Sequence, residues 1–158
     1  MCGLFDENCQ HDMGEDYVEF NIAEDVDAGL NFIKNWPTEI LFSGREIGNK
    51  IVYPVESILK DFKWTEIHPV IEAYKMCRPM PYNSETWDMT VVIQVFYPAE
   101  YFKLSEAGLV SIDNIGRTTF KITSEGRHRH LILIPEKISQ IQQKYIELCT
   151  EPVISKVI

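Results

Sequence analysis

The chain is poor in positive charge. Among its 158 residues, 15 are Lys or Arg and 24 are Asp or Glu, for a formal net charge of −9 and a pI near 4.9. The basic residues are scattered, whereas a nucleic-acid surface clusters them to displace counterions from phosphates, so nucleic acid is excluded as the main partner. An anionic membrane surface is disfavoured for the same reason. Long apolar runs are also missing, the longest falling far short of the ~20 residues a spanning helix needs. The four cysteines (Cys2, Cys9, Cys77 and Cys149) form no C-x-x-C pair, and no Cys/His spacing suits zinc. They read as free thiols, which fits a reducing compartment and an expected cytoplasmic location. The opening "MCGLFDENCQHDMGEDY" lacks the basic, apolar and small-residue regions of a signal peptide.

What is present is ordinary globular composition, 45% hydrophobic and 25% charged. Residues 1–158 amount to one domain, long enough to bury a core without disulfides or metals. Residues 1–17 are polar and acidic and read as loop, and "VEFNI" (18–22) reads as a short extended segment. In "EDVDAGLNFIKNW", Val26, Leu30 and Ile33 recur at helical spacing behind Asp25, a capping residue, and Trp36-Pro37 ends the helix. "TEILFSG" reads as a buried strand closed by Gly44, "EIGNKI" as a helical turn, and "VESILKDF" as a helix begun by Pro54. Pro69 starts a firmer helix with Val70, Tyr74 and Cys77 on one face, stopped at Arg78-Pro79. "DMTVVIQVFY" is ambiguous, its β-branched run favouring strand and its length and apolar character also suiting a core helix.

Beyond it, "LVSID", "RTTFKIT" and "HRHLILI" are strand-like runs separated by the turns "DNIG" and "SEG", which suggests a meander. Pro135 opens a last helix carrying Ile138, Ile141, Tyr145 and Leu148, and Pro152 stops it. The layout is α/β or α+β with at least one sheet.

Several residues could carry chemistry. In an extended 18–22, Glu19 and Asn21 share a side opposite Phe20, and a carboxylate with an amide can clamp vicinal hydroxyls, as in a sugar. An exposed polar edge explains the same pair. His128 and His130 share a face and could hold a transition metal, although a solvated strand of a surface hairpin accounts for them better. His68, before Pro69, reads as a structural helix-flanking residue, and Ser43 in "F-S-G-R" lacks the G-x-S-x-G of a nucleophile turn. Trp36, Trp64 and Trp87 read as core residues, any of which could instead stack on a base or sugar ring. Asp88 suits the first turn of a helix, and as a hard oxygen donor it could also hold Ca²⁺ or Mg²⁺, though one carboxylate does not make a site.

The order of motifs resembles the second half of the nucleoside hydrolases, in the bacterial-type inosine–uridine-preferring branch. The motifs are "M-C-G-L-F", "V-E-F-N-I-A-E-D-V-D-A", "N-W-P-T-E-I-L-F-S-G-R-E-I-G", "Y-P-V-E-S-I", "H-P-V-I-E-A-Y", "M-P-Y-N-S-E-T-W-D-M-T", "Y-F-K-L-S-E-A-G", "D-N-I-G-R-T-T-F" and "E-G-R-H-R-H-L", covering roughly residues 1–133. The resemblance implies an α/β fold: part of an open mixed sheet of the nucleoside-hydrolase type with flanking helices, plus a C-terminal β-meander. It implies hydrolysis of the N-glycosidic bond of a ribonucleoside to ribose and free base, in nucleoside salvage. It also implies a Ca²⁺ that binds the ribose hydroxyls and activates water.

By the same resemblance, Asp88 is a calcium ligand, Glu19 and Asn21 bind the ribose hydroxyls, Phe20 lines the base side, and Met1 touches the ligand. Trp87 stands where many members place a histidine as leaving-group acid, and "M-C-G" replaces the usual M-G-G. The family's D-T-D-x-x-x-D-D cluster, which supplies the catalytic base and most calcium ligands, occurs nowhere in the chain, so no catalytic residue is assignable. The expectation is a C-terminal half, from a truncated gene or a fragment, completed by an N-terminal partner or by homo-oligomerisation. The rival expectations are a non-catalytic remnant that binds nucleosides or oligomerises, and an acidic α/β interaction module.

Overall fold

A computed structural model of the chain describes residues 3, 5 and 17–152. Met1, Cys2, Cys9 and most of the expected loop over residues 1–17 lie outside the described residues. Glu19 turns its carboxylate onto the Ile22 N–H (3.0 Å) and caps a short helix, α1 (Phe20–Glu24). Asp25 does the same for the Ala28 N–H (2.8 Å) and starts α2 (Val26–Asn35), which ends at Trp36 as the following proline dictates. The expected strand over 18–22 is therefore corrected: from Phe20 onward the segment is helical, because the Glu19 cap satisfies an orphan N–H while Ile22 goes into the core.

β1 (Ile40–Phe42), α3 (Arg45–Lys50) and α4 (Val55–Lys60) follow where the sequence pattern puts them, and a short strand that the pattern did not announce, β2 (Val52–Tyr53), lies between the two helices. His68 caps α5 (Pro69–Cys77), its Nδ1 accepting the Val70 N–H at 3.3 Å. β3 (Ser84–Glu85) pairs antiparallel with β2. The ambiguous apolar run resolves as a helix, α6 (Trp87–Phe96), which buries Thr90, Ile93 and Gln94 at helical spacing. Its outer face keeps Val92, Val95 and Phe96 exposed, so it is not the fully buried core helix its composition suggests.

The remaining strands are β4 (Phe102–Leu104), β5 (Gly108–Ile112), β6 (Thr118–Ile122) and β7 (His128–Leu133). A 3-10 turn (Pro135–Lys137) then leads into α7 (Ile138–Thr150). The fold is mixed α/β with an open sheet ordered β1-β7-β5-β6, β4 also pairing with β7. β7 runs parallel to β1, from Ile40↔His128 to Phe42↔His130, and antiparallel to β4, from Phe102↔Leu133 to Leu104↔Leu131. β5 and β6 form the hairpin expected from "DNIG", where Asp113 Oδ1 accepts the Ile115 and Arg117 N–H groups and Gly116 takes φ +96°. β7 then returns beside β5, meeting it only at Gly108↔His128, and does not continue the meander along β6.

This topology overturns the solvated-hairpin reading of the two histidines. On β7, His128 and His130 do share a face, but His128 is edge-on to Phe42 and His130 is stacked on Phe5 (5.1 Å between centroids). The opposite face carries Leu131 and Leu133 into a second core with Ile47, Ile51, Tyr53, Ile93, Phe102, Ile141 and Tyr145. Strand alternation thus gives the sheet two separate cores, the first built from Phe5, Ile22, Ile33, Ile40, Phe42, Val110 and Ile112. Trp36 and Trp64 are exposed rather than core residues, and their indole N–H groups donate to Thr38 Oγ1 and the Thr150 carbonyl. Among the described residues no helix is long and apolar enough to cross a membrane.

Two consequences can be measured. A Cβ at Gly48 would fall 2.5 Å from the Trp87 Cα, a backbone atom that cannot swing aside. Gly48→Ala is expected to lower stability by ~1–3 kcal/mol in urea unfolding. Burial pushes the Tyr53 phenol up to about 12, against a hydrogen bond from Ser57 that lowers it, and burial raises Tyr145 as well. Unfolded tyrosines ionise near pH 10, so above that the unfolded chain sheds protons the folded chain keeps. Stability should hold below about pH 10 and fall through about pH 12, by on the order of 2 kcal/mol for Tyr53, and Tyr53→Phe should flatten part of the fall.

Candidate functional site

Three short elements meet beyond the carboxyl end of β1. Ser43 and Gly44 carry the chain off the strand into α3, placing Arg45 at its first position. α1 brings Phe20 and Asn21, with Glu19 as its cap. The start of α6 brings Trp87 and Asp88. Glu19, Phe20, Asn21, Arg45, Trp87 and Asp88 line one cleft of about 410 Å³. The crevice outside the carboxyl ends of parallel strands is where open α/β sheets take their ligands. Of the residues singled out in the sequence, Glu19, Phe20, Asn21, Trp87 and Asp88 are brought together here, and Met1 lies outside the described residues.

Glu19 is buried and fully committed. Its Oε2 accepts the Ile22 N–H and its Oε1 accepts the Asn21 side-chain N–H, both at 3.0 Å. The pair therefore meets by capping geometry, with Glu19 before the helix and Asn21 in its first turn. It does not meet as alternate residues of a strand. The engaged Glu19 holds the Asn21 amide in one orientation, its Nδ2 turned to the carboxylate. Phe20 is 65% exposed, an apolar plate with solvent on one side. Asp88 is exposed in the first turn of α6, where the helix dipole favours its negative charge.

Thr86, in the capping position of α6, directs its hydroxyl to the Ile51 carbonyl (2.6 Å) and leaves the turn uncapped by side chains. Trp87 is fixed by its indole N–H, which donates to Asn49 Oδ1 at 2.6 Å. Ser43 is buried against Thr90 and has a packing role.

Arg45 is the residue that sequence reasoning missed. Its guanidinium lies 5.3 Å from the Tyr17 ring centroid and 5.7 Å from that of Trp87, and its Nη1 donates to the Tyr17 hydroxyl at 3.2 Å. Among the described residues its buried Nε finds no hydrogen-bond partner, a costly state for a charged donor. The available signal was a strand, a glycine and then a charged residue opening a helix.

The residues present do not by themselves fit calcium. Ca²⁺ takes six to eight oxygens, and among the described residues the cleft offers Asp88 alone as an uncommitted carboxylate, with a guanidinium lining the same space. Among the described residues no three of His, Cys, Asp and Glu form a group that could hold a metal ion. What the cleft can do is bind: an oriented amide, a carboxylate and a guanidinium address hydroxyls, while Phe20 and Trp87 offer flat apolar surface. Glu19→Ala removes a cap and the Asn21 anchor together, and is expected to lower stability by about 1 kcal/mol in urea unfolding.

No model of a known protein family matches the chain, and no curated protein matches it.

Proposed function

We propose that the cleft is the ribose-binding wall of a nucleoside hydrolase-like protein, one that cleaves the N-glycosidic bond of ribonucleosides once further carboxylates complete the site. The observation that carries this reading is the convergence of two segments far apart in the chain, Glu19–Asn21 and Trp87–Asp88, on one cleft. In the reading, the Asn21 amide and the Asp88 carboxylate hydrogen-bond the ribose hydroxyls. Glu19 acts through Asn21, and Phe20 and Trp87 flank the base.

In the reading the ribose is held but its anomeric carbon is not attacked, because no general base is assigned in this chain. The chain carries no D-x-D-x-x-x-D-D cluster. Calcium, where additional carboxylates from a second chain complete its shell, would supply an activated water. A homo-oligomer or a separate chain could provide those groups. The two free described cysteines, Cys77 and Cys149, support a reducing, cytoplasmic setting. The non-catalytic alternative, a nucleoside-binding remnant of the fold, is favoured by Asp88 being the one uncommitted carboxylate among the described lining residues and by Arg45 in the cleft.

The test is inosine and uridine binding, followed by tryptophan fluorescence in a chain that keeps Trp87 and carries Trp36→Phe and Trp64→Phe, run beside ribose release with Ca²⁺ and with chelator. Binding without release is expected, and Asn21→Ala or Asp88→Ala should each weaken it by roughly tenfold, since each leaves ribose hydroxyls unpaired. Absence of binding by folded protein, or binding that ignores both substitutions, would sink the reading. Calcium-dependent ribose release that Asp88→Ala abolishes would show that copies of the chain complete one another, and would refute the non-catalytic alternative.

A further inference from the structure

A larger cleft, of about 720 Å³, opens between α2 and β5 and shares no lining residue with the first. It exists because β5 and β7 part company: they pair at Gly108↔His128, and beyond that point the β5 edge faces the flank of α2. Gly29 of α2 packs toward Ile112 of β5, where an added Cβ would already touch the Ile112 side chain at 3.4 Å. The walls include Leu30, Leu109 and Ile112, and the polar groups include Lys34, Arg127 and His128.

The charge pattern sets this cleft apart. In a chain of net charge −9, its described lining contains two cationic side chains and no carboxylate. Among the described residues, neither Lys34 nor Arg127 makes an ion pair, and Arg127 has only a long contact to the Pro37 carbonyl, at 3.4 Å. His128 Nδ1 accepts the Val110 N–H at 2.8 Å, so a neutral ring carries its proton on Nε2. Burial first, and the neighbouring Arg127 second, hold this imidazole below its usual pKa and keep it neutral. The ring is a donor on the cleft wall, not a metal ligand.

We infer that this cleft binds a small aliphatic monocarboxylate, its chain lying along Leu30, Leu109 and Ile112 and its head group between Lys34 and Arg127. Ligand sites of this kind typically enclose about 300–1,000 Å³, with apolar walls and a few convergent polar groups. The described wall has no ring other than His128, so an aliphatic body fits it better than a flat heterocycle that would need a stacking partner. Both cations are exposed, which leaves the carboxylate partly hydrated and avoids the cost of burying it. Concave, low-dielectric walls concentrate the field of the two cations against the negative background of the rest of the chain. The inference is independent of the nucleoside reading, because the two clefts share no residue.

The experiment is calorimetric titration of the full chain at low salt with octanoate, with octanol of the same body and no charge, and with acetate of the same head and no body. Backbone amide NMR shifts locate the site. Octanoate should bind at least tenfold more tightly than either control and shift the resonances of Leu30, Lys34 and Leu109. The exposed double substitution Lys34→Gln with Arg127→Gln should weaken octanoate about tenfold and leave octanol unchanged, with circular dichroism confirming the fold. Leu109→Asn, also at an exposed position, should weaken octanoate and leave acetate unchanged. No octanoate binding, equal binding of octanol, or an affinity indifferent to the double substitution overturns the inference.

Discussion

The approach of α3 to the start of α6 at Gly48 is the contact on which the arrangement of the first cleft depends. A glycine there lets the Trp87 backbone come within a distance that a side chain would forbid. Two hydrogen bonds hold the approach: the Thr86 N–H donates to the Gly48 carbonyl and the Thr86 hydroxyl to the Ile51 carbonyl. The result is positional. Arg45 opens α3 and Asp88 lies in the first turn of α6, so the helix-to-helix distance sets how far apart the two charges sit. Trp87 is clamped from the α3 side by Asn49 and faced by Arg45, which makes its ring a fixed wall. A side chain at position 48 would press directly on Trp87, a residue of the cleft wall, and push the start of α6 away from α3.

What was legible in the sequence was mostly local. Asp25 capping α2, His68 before Pro69, and the Asp113–Gly116 turn are each decided within four residues, so composition and spacing suffice. The α6 segment was not decidable that way, because its β-branched residues favour strand and the helix is selected by long-range contacts, Ile93 packing with Ile47 and Ile51 and Thr90 bonding Ser43. The burial of His128 was hidden for a related reason. Its two arginine neighbours suggest a wet strand, and only long-range pairing with β1 makes β7 internal.

The first cleft was legible in part. Glu19 and Asn21 were identified as a cooperating pair, yet the geometry that joins them is a helix cap, since one carboxylate can serve a backbone N–H and an amide together. Arg45 could not be read from sequence, because its significance comes from three elements meeting in space. The second cleft was invisible in the sequence altogether. Lys34 and Arg127 are 93 positions apart, and nothing in the neighbourhood of either announces the other.

The two-faced sheet also shapes how the molecule responds to change. His130 and Leu131 are adjacent in the chain, yet one packs with Phe5 and Phe120 and the other with the Ile47–Tyr145 group. Substitutions that share no partner combine almost additively, whereas those in one packed cluster do not. The sheet therefore partitions the sequence into two sets of positions interleaved along the same strands. Each set must keep its own volume, and each is free to drift without consulting the other, so compensating replacements for a change at Phe42 belong among residues such as Phe5 and Val110, never at Leu131.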